Sequence, residues 1–187
     1  MMSDLRARAR AKRKSLVVES LSCIPMLLNE TRPDLYAIQV LQSELRRNPF
    51  YTKVIIVEPY MDSQSFQYLS ELFGGVSNLE IEVLSKFRSV DKDTKEERKE
   101  ELSNLSSELT RNGVFKSVTL KHSFSPMHDR YFVLCKDNEV IETILSIGGS
   151  LRQRFGDYIC INKLSDSYMI RSVERYINIL KSNSCVV

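Results

Sequence analysis

Residues 54–57 read Val-Ile-Ile-Val, an unbroken β-branched run that Pro59 brings to an end. Such a run can bury both faces of a strand, which sets it inside a sheet with helices on both sides. The residues after Pro59 fit that setting. Ser63 or Asp62 can cap a helix whose apolar face is Phe66, Leu69, Leu72 and Phe73, closed by Gly74 and Gly75. Over 79–84, Leu79, Ile81 and Val83 alternate with Glu80 and Glu82, the pattern of a second strand. Residues 86–101 are dense in both charge signs and read as the solvated start of a helix. That helix continues through Leu102, Leu105 and Leu109 to a stop at Gly113. Strand patterns then take over at 114–120, at 131–135 and 140–145 as a hairpin around 136–139, and at 158–161. A last helix from about Asp166 carries Ile170, Val173, Ile177 and Leu180. The order β-α-β-α-β-β-β-β-α makes this an α/β chain, a mixed β-sheet flanked by helices. No internal repeat interrupts it.

The N-terminal part reads differently. Arg6, Arg8, Arg10, Lys12, Arg13 and Lys14 stand against a single Asp4, a basic arm suited to nucleic acid or an anionic membrane surface, or simply to keeping a terminus solvated. Leu21, Ile24 and Leu28 recur at helical spacing around Pro25. After Pro33, Asp34 is placed to cap a helix with Leu35, Ile38, Leu41 and Leu45 on one face. Residues 1–50 are therefore expected to form a basic helical N-terminal extension, and 53–187 the main domain.

Composition excludes several classes. No apolar run reaches the roughly 18–20 residues of a membrane span, and no signal-peptide pattern follows the basic start. The expectation is a cytoplasmic protein without a transmembrane segment, peripheral at a membrane surface or on nucleic acid. Net charge is only +3 over 187 residues, so the chain as a whole is not a polycation. Cys23, Cys135, Cys160 and Cys185 form no Cys-x-x-Cys pair, and with two histidines they show no metal-ligand spacing. Neither a metal nor a cofactor is called for. Cys135 and Cys160 lie in apolar runs and read as small buried hydrophobes.

The chemistry concentrates in Met127-His128-Asp129-Arg130-Tyr131-Phe132-Val133-Leu134. With strand periodicity, His128, Arg130 and Phe132 share one side. An imidazole beside a guanidinium suits a phosphodiester: the first can attack phosphorus or relay a proton, and the second can hold two phosphoryl oxygens. Gly148-Gly149-Ser150-Leu151-Arg152-Gln153-Arg154 comes next, with glycines for close approach and a Ser150 hydroxyl that can donate to a phosphate oxygen. Arg152 and Arg154 can widen the anionic pocket, and Tyr60 can add a hydroxyl or a stacking face. His122, with no basic residue two positions on, reads as a strand-end residue.

Histidine-x-basic on a strand, then a strand, then Gly-Ser, resembles the phospholipase D superfamily motif, His-x-Lys-(x)4-Asp followed by Gly-Ser-x-Asn. From about Val54 to Leu180 the chain is similar to the phospholipase-D-like C-terminal domain of MIT-domain proteins and its prokaryotic relatives. The matching pieces are Val57-Glu58-Pro59-Tyr60, Arg111-Asn112-Gly113-Val114, His128-Asp129-Arg130, Gly148-Gly149-Ser150-Leu151 and the last helix. The resemblance implies a phospholipase-D-like fold, often dimeric, with a degenerate active site, and in the eukaryotic members binding of acidic membrane lipids. Three positions depart from the motif: Arg130 replaces lysine, Cys135 aspartate and Arg152 asparagine. With the aspartate gone, Glu58 at the end of a central strand is the candidate carboxylate for orienting His128.

Three readings are open. The chain binds phosphodiester or phospholipid head groups through Arg130 and its neighbouring arginines, as a homodimer. Alternatively it is a metal-independent phosphodiesterase or nuclease with His128 as nucleophile or acid and Arg130 and Glu58 beside it. The family's enzymes use two histidines, so a complete site then needs two copies of the chain. The third reading is a non-catalytic subunit of a larger protein complex. In each of the first two the partner is an anion, nucleic-acid backbone or acidic lipid.

Overall fold

The computed structural model describes residues 23–25, 42–43, 50–73, 76, 78–87, 95–149, 151 and 160–187. In chain order the elements are β1 (Cys23–Pro25), β2 (Lys53–Val57), α1 (Ser63–Phe73), β3 (Glu80–Ser85) and α2 (Lys95–Arg111). They continue with β4 (Ser117–Ser123), β5 (Tyr131–Cys135), a 3-10 turn (Asp137–Glu139), β6 (Ile141–Ile147), β7 (Cys160–Lys163), α3 (Ser167–Ser182) and β8 (Ser184–Val186). The strands form one mixed sheet in the order β1-β7-β6-β5-β2-β3-β4-β8. Strands β2, β3 and β4 run parallel, and every other neighbouring pair is antiparallel. The α/β class and the mixed sheet flanked by helices agree with the sequence.

Strand β2 is central because its run leaves nothing for water: Val54, Ile55, Ile56 and Val57 are all buried. Even-numbered residues of β2 and β5 join a cluster with Phe66, Leu69 and Phe73 of α1 and Leu102 of α2. Odd-numbered ones join Val173, Ile177 and Leu180 of α3. Thus α1 and α2 cover one face and α3 the other. The caps are local. Asp62 accepts the Ser65 N–H at 2.9 Å and opens α1, and Asp166 accepts from the Tyr168 and Met169 N–H groups to open α3. Gly113, at φ 71°, closes α2 while the Val114 N–H reaches back to the Leu109 carbonyl.

Four expectations change. The segment around Ile24, read as helical, supplies the edge strand β1, whose Cys23–Pro25 pair with β7, so this part of the N-terminal extension belongs to the sheet. Proline lacks a ladder donor and is tolerated at an edge. Strand β4 starts three residues later than its apolar pattern begins, at Ser117, because Val114–Lys116 complete the turn after α2. Strand β8 was not anticipated; it pairs antiparallel with β4. Glu82, whose alternation suggested a solvent face, is buried at 3% exposure, with Lys53 (2.7 Å), Lys121 (2.7 Å) and Lys181 (3.1 Å) on its carboxylate. The basic arm, the Asp34 cap and the Gly74-Gly75 stop lie outside the described residues.

Candidate functional site

The carboxyl ends of parallel strands are where α/β folds gather ligands, and Glu58 directly follows the end of β2. Its N–H still donates to the Leu84 carbonyl at 3.1 Å, so the residue continues the β2–β3 ladder by one step. The side chain is 1% exposed. Its oxygens accept from Arg130 Nε (3.3 and 3.2 Å), from the Tyr60 N–H (3.0 Å) and from the Leu151 N–H (3.2 Å). Burial pushes this carboxyl above its usual range, against the pull of Arg130 and of the two backbone donors.

Arg130 stands opposite. Val57 pairs with Tyr131, so the next step of the antiparallel ladder sets Glu58 against Arg130. The Arg130 carbonyl meanwhile accepts the Ile147 N–H at 2.9 Å and ties the residue to β6. Its guanidinium lies over the Tyr60 ring, Cζ 5.7 Å from the centroid, with the side chain 22% exposed. Nε is held by Glu58, and among the described residues the terminal nitrogens have no acceptor. The result is a guanidinium held at Nε by a buried carboxylate, set over an aromatic face and partly exposed.

His128 is placed less tightly than strand periodicity implied. Strand β5 begins at Tyr131, so His128 lies in the unpaired approach to it and its side chain is exposed. That approach is anchored from the other side of the sheet: Met127 is buried beneath α3, and Tyr176 of α3 donates to the Pro126 carbonyl at 3.3 Å. Among the described residues no hydrogen bond joins His128 to Glu58. The carboxylate holds the arginine, not the imidazole.

The motif's aspartate position also changes meaning. Cys135 is buried in the cluster under α3, whereas Arg130 and Glu58 lie on the α1–α2 side. An offset of seven from His128 is odd, so in a strand it falls on the opposite face. Burial raises the Cys135 thiol to about 11, consistent with a small core hydrophobe. Of the remaining candidates, Tyr60 is brought to Arg130, while Ser150, Arg152 and Arg154 lie outside the described residues. The Leu151 amide was not anticipated as part of the site; a backbone donor leaves no trace in residue type.

No protein-family profile matches the chain, and no curated protein matches it either. Solved structures do. Polyphosphate kinase from Porphyromonas gingivalis matches at 10% identity with a TM-score of 0.45, over 81% of this chain and 22% of its own. The chain thus spans under a quarter of that protein's length. NucT from Helicobacter pylori matches at 11% identity with a TM-score of 0.49, over 88% of this chain and 96% of its own. TrmBL2, an archaeal chromatin protein described with a novel mode of DNA binding, matches at 11% identity with a TM-score of 0.40, over 100% of this chain and 65% of its own.

Proposed function

We propose that the chain is a phospholipase-D-like domain that binds the phosphate of a phosphodiester or phospholipid through Arg130. One observation carries the reading: Arg130 is fixed at Nε by the buried Glu58 and backed by Tyr60, with its side chain still 22% exposed. A guanidinium held in this way loses little freedom on binding and presents parallel donors to two phosphoryl oxygens. Glu58 is a positioning residue here. The motif resemblance supports the same ligand chemistry, with the prokaryotic relatives of the MIT-protein C-terminal domain as kin and with Ser150, Arg152 and Arg154 next in sequence.

The reading includes a homodimer that sets two such sites together, and a working place on nucleic acid or at a membrane surface. No helix among the described residues is long and apolar enough to cross a membrane. A second reading is metal-independent phosphodiester cleavage. The exposed His128 favours it, two residues before Arg130 with its imidazole open to a ligand.

The test compares the full chain with Arg130→Ala and His128→Ala in EDTA, measuring binding of a labelled oligonucleotide and of phosphatidylserine vesicles together with phosphodiesterase turnover. Binding should fall at least tenfold in Arg130→Ala and persist in His128→Ala, since charge-assisted bidentate contacts contribute about 1.5–3 kcal/mol. Turnover that vanishes in His128→Ala while binding remains supports cleavage. Binding indifferent to Arg130→Ala refutes the site and leaves an assembly subunit.

A further inference from the structure

Ladder register sets one residue of each neighbouring strand on a common level. On the face under α1 and α2, one level consists of Phe132, Ile56, Val83 and Leu120, paired in that order. All four are buried in the same apolar cluster. One step further on the same face, the level becomes Arg130, Glu58, Ser85 and His122. Ser85 and His122 are direct partners, and Glu58 comes after the Val57–Leu84 pair. Every member is polar, and Glu58, Ser85 and His122 are 1%, 0% and 7% exposed. A buried polar row directly above an apolar one is unfavourable as packing alone, because each poorly paired group opposes burial. Glu58 is satisfied by Arg130, and Ser85 Oγ accepts the Phe87 N–H at 2.9 Å.

The far end of the row has features of its own. The His122 ring lies 6.1 Å from Phe87 and makes an edge contact with Phe124 at 4.8 Å. Phe124 is 64% exposed although it stands beside a buried imidazole. Burial disfavours protonation of the His122 ring, and the charges of Lys95 and Lys99 of α2 and of Lys86 after β3 add to it. Glu96, which pulls the other way on that ring, is held by Lys99 at 3.0 Å. An exposed aromatic face among cations suits a base with its backbone phosphate.

We infer that the end of β4 is a second subsite, in which Phe124, seated on His122, stacks a base and the exposed Lys95 holds its phosphate, for a single-stranded nucleic acid whose other phosphate lies on Arg130. This rests on the Arg130 reading and narrows its ligand. Three strand spacings separate Arg130 from His122, about 14 Å, which one phosphate group cannot bridge and a nucleotide chain can. A lipid head group offers no planar ring for Phe124.

The test uses fluorescence anisotropy of the full chain with a labelled thymidine dinucleotide, too short to reach both subsites, and an octanucleotide. Phe124→Ser and Lys95→Ser should each weaken octanucleotide binding several-fold to about tenfold and leave the dinucleotide unchanged. Lys116→Ser, at the other end of β4, should leave both probes unchanged. Thermal melts of each variant separate lost binding from lost folding, and both Phe124 and Lys95 are exposed enough to replace. If Arg130→Ala weakens both probes while neither subsite variant affects the octanucleotide, the second subsite is wrong and the first stands. If Arg130→Ala affects neither probe, both fall. Phosphatidylserine vesicles that compete fully for the octanucleotide, with Phe124→Ser reducing vesicle binding instead, would make the surface a membrane contact and overturn the proposal.

Discussion

Glu58 and Arg130 face each other one step beyond the last pair of the β2–β5 ladder, joined from Nε to carboxylate at 3.2 Å. The acid is almost wholly buried and the base partly open, so the pair is asymmetric: one partner is structural and the other is presented.

Glu58→Ala should therefore damage stability as well as function. It leaves the Tyr60 and Leu151 N–H groups and Arg130 without their acceptor, a loss of about 3 kcal/mol by urea unfolding. Glu58→Gln keeps an acceptor and should lose less. Because burial raises the Glu58 carboxyl in the folded chain, its contribution is fully present below its unfolded value and fades as pH rises through the folded one. The stability advantage of the native chain over Glu58→Gln should accordingly narrow from pH 4 to pH 7.

Tyr60 acts through its ring. Tyr60→Phe should leave stability and oligonucleotide binding unchanged, whereas Tyr60→Leu removes the face beneath the guanidinium and loses about 1 kcal/mol in urea unfolding. A loss in Tyr60→Phe equal to that in Tyr60→Leu would assign the effect to the hydroxyl.

Glu82 gives the opposite pH signature. Lys121, Lys53 and Lys181 outweigh its burial and bring its carboxyl from 4.5 down to about 2. A depressed carboxyl contributes above its unfolded value and loses that contribution as pH falls through the folded one. Between about pH 4.5 and pH 2 the native chain should lose on the order of 3 kcal/mol more than Glu82→Gln does. Urea titrations of both at several pH values measure the difference.

Cys135 and Cys185 should separate cleanly by thiol reactivity. With its thiol raised to about 11 and buried, Cys135 should resist a thiol reagent at pH 8 until the chain unfolds, while the exposed Cys185 reacts at once. Cys135→Asp, which restores the motif residue, should not restore a site, because the position lies under α3. It should destabilise by about 2–4 kcal/mol, read by thermal or urea unfolding.

Much of the fold was legible where the signal is local. The Val54–Val57 run, the amphipathic faces of α1 and α3, the start of α3 near Asp166 and the hairpin around 136–139 are each written in neighbouring residues. Strands β1 and β8 were not legible, because three residues such as Cys-Ile-Pro or Ser-Cys-Val carry no measurable period. Glu82 misled because alternation reports a face and not what covers it; here three lysines reach over from β2, β4 and α3. The Glu58–Arg130 pair and the level containing His122 depend on register between strands far apart in sequence. Composition could name their members but could not align them.

The sheet order also fixes a sequence of events during synthesis. Strands β2, β3 and β4 with α1 and α2 come from one continuous stretch, each element laid beside the last as it emerges. Arg130, the Ile147 amide that ties its backbone and the Leu151 amide all arrive later, and β1 waits for β7. Until then β2 carries an open edge and Glu58 has no counter-charge, so the nascent chain exposes a pairing-competent strand beside an acid that has not yet met its base. The site that would receive a ligand thus closes only after the parallel half of the sheet is made, and a chain cut short before β5 would leave the ribosome with its central strand unguarded.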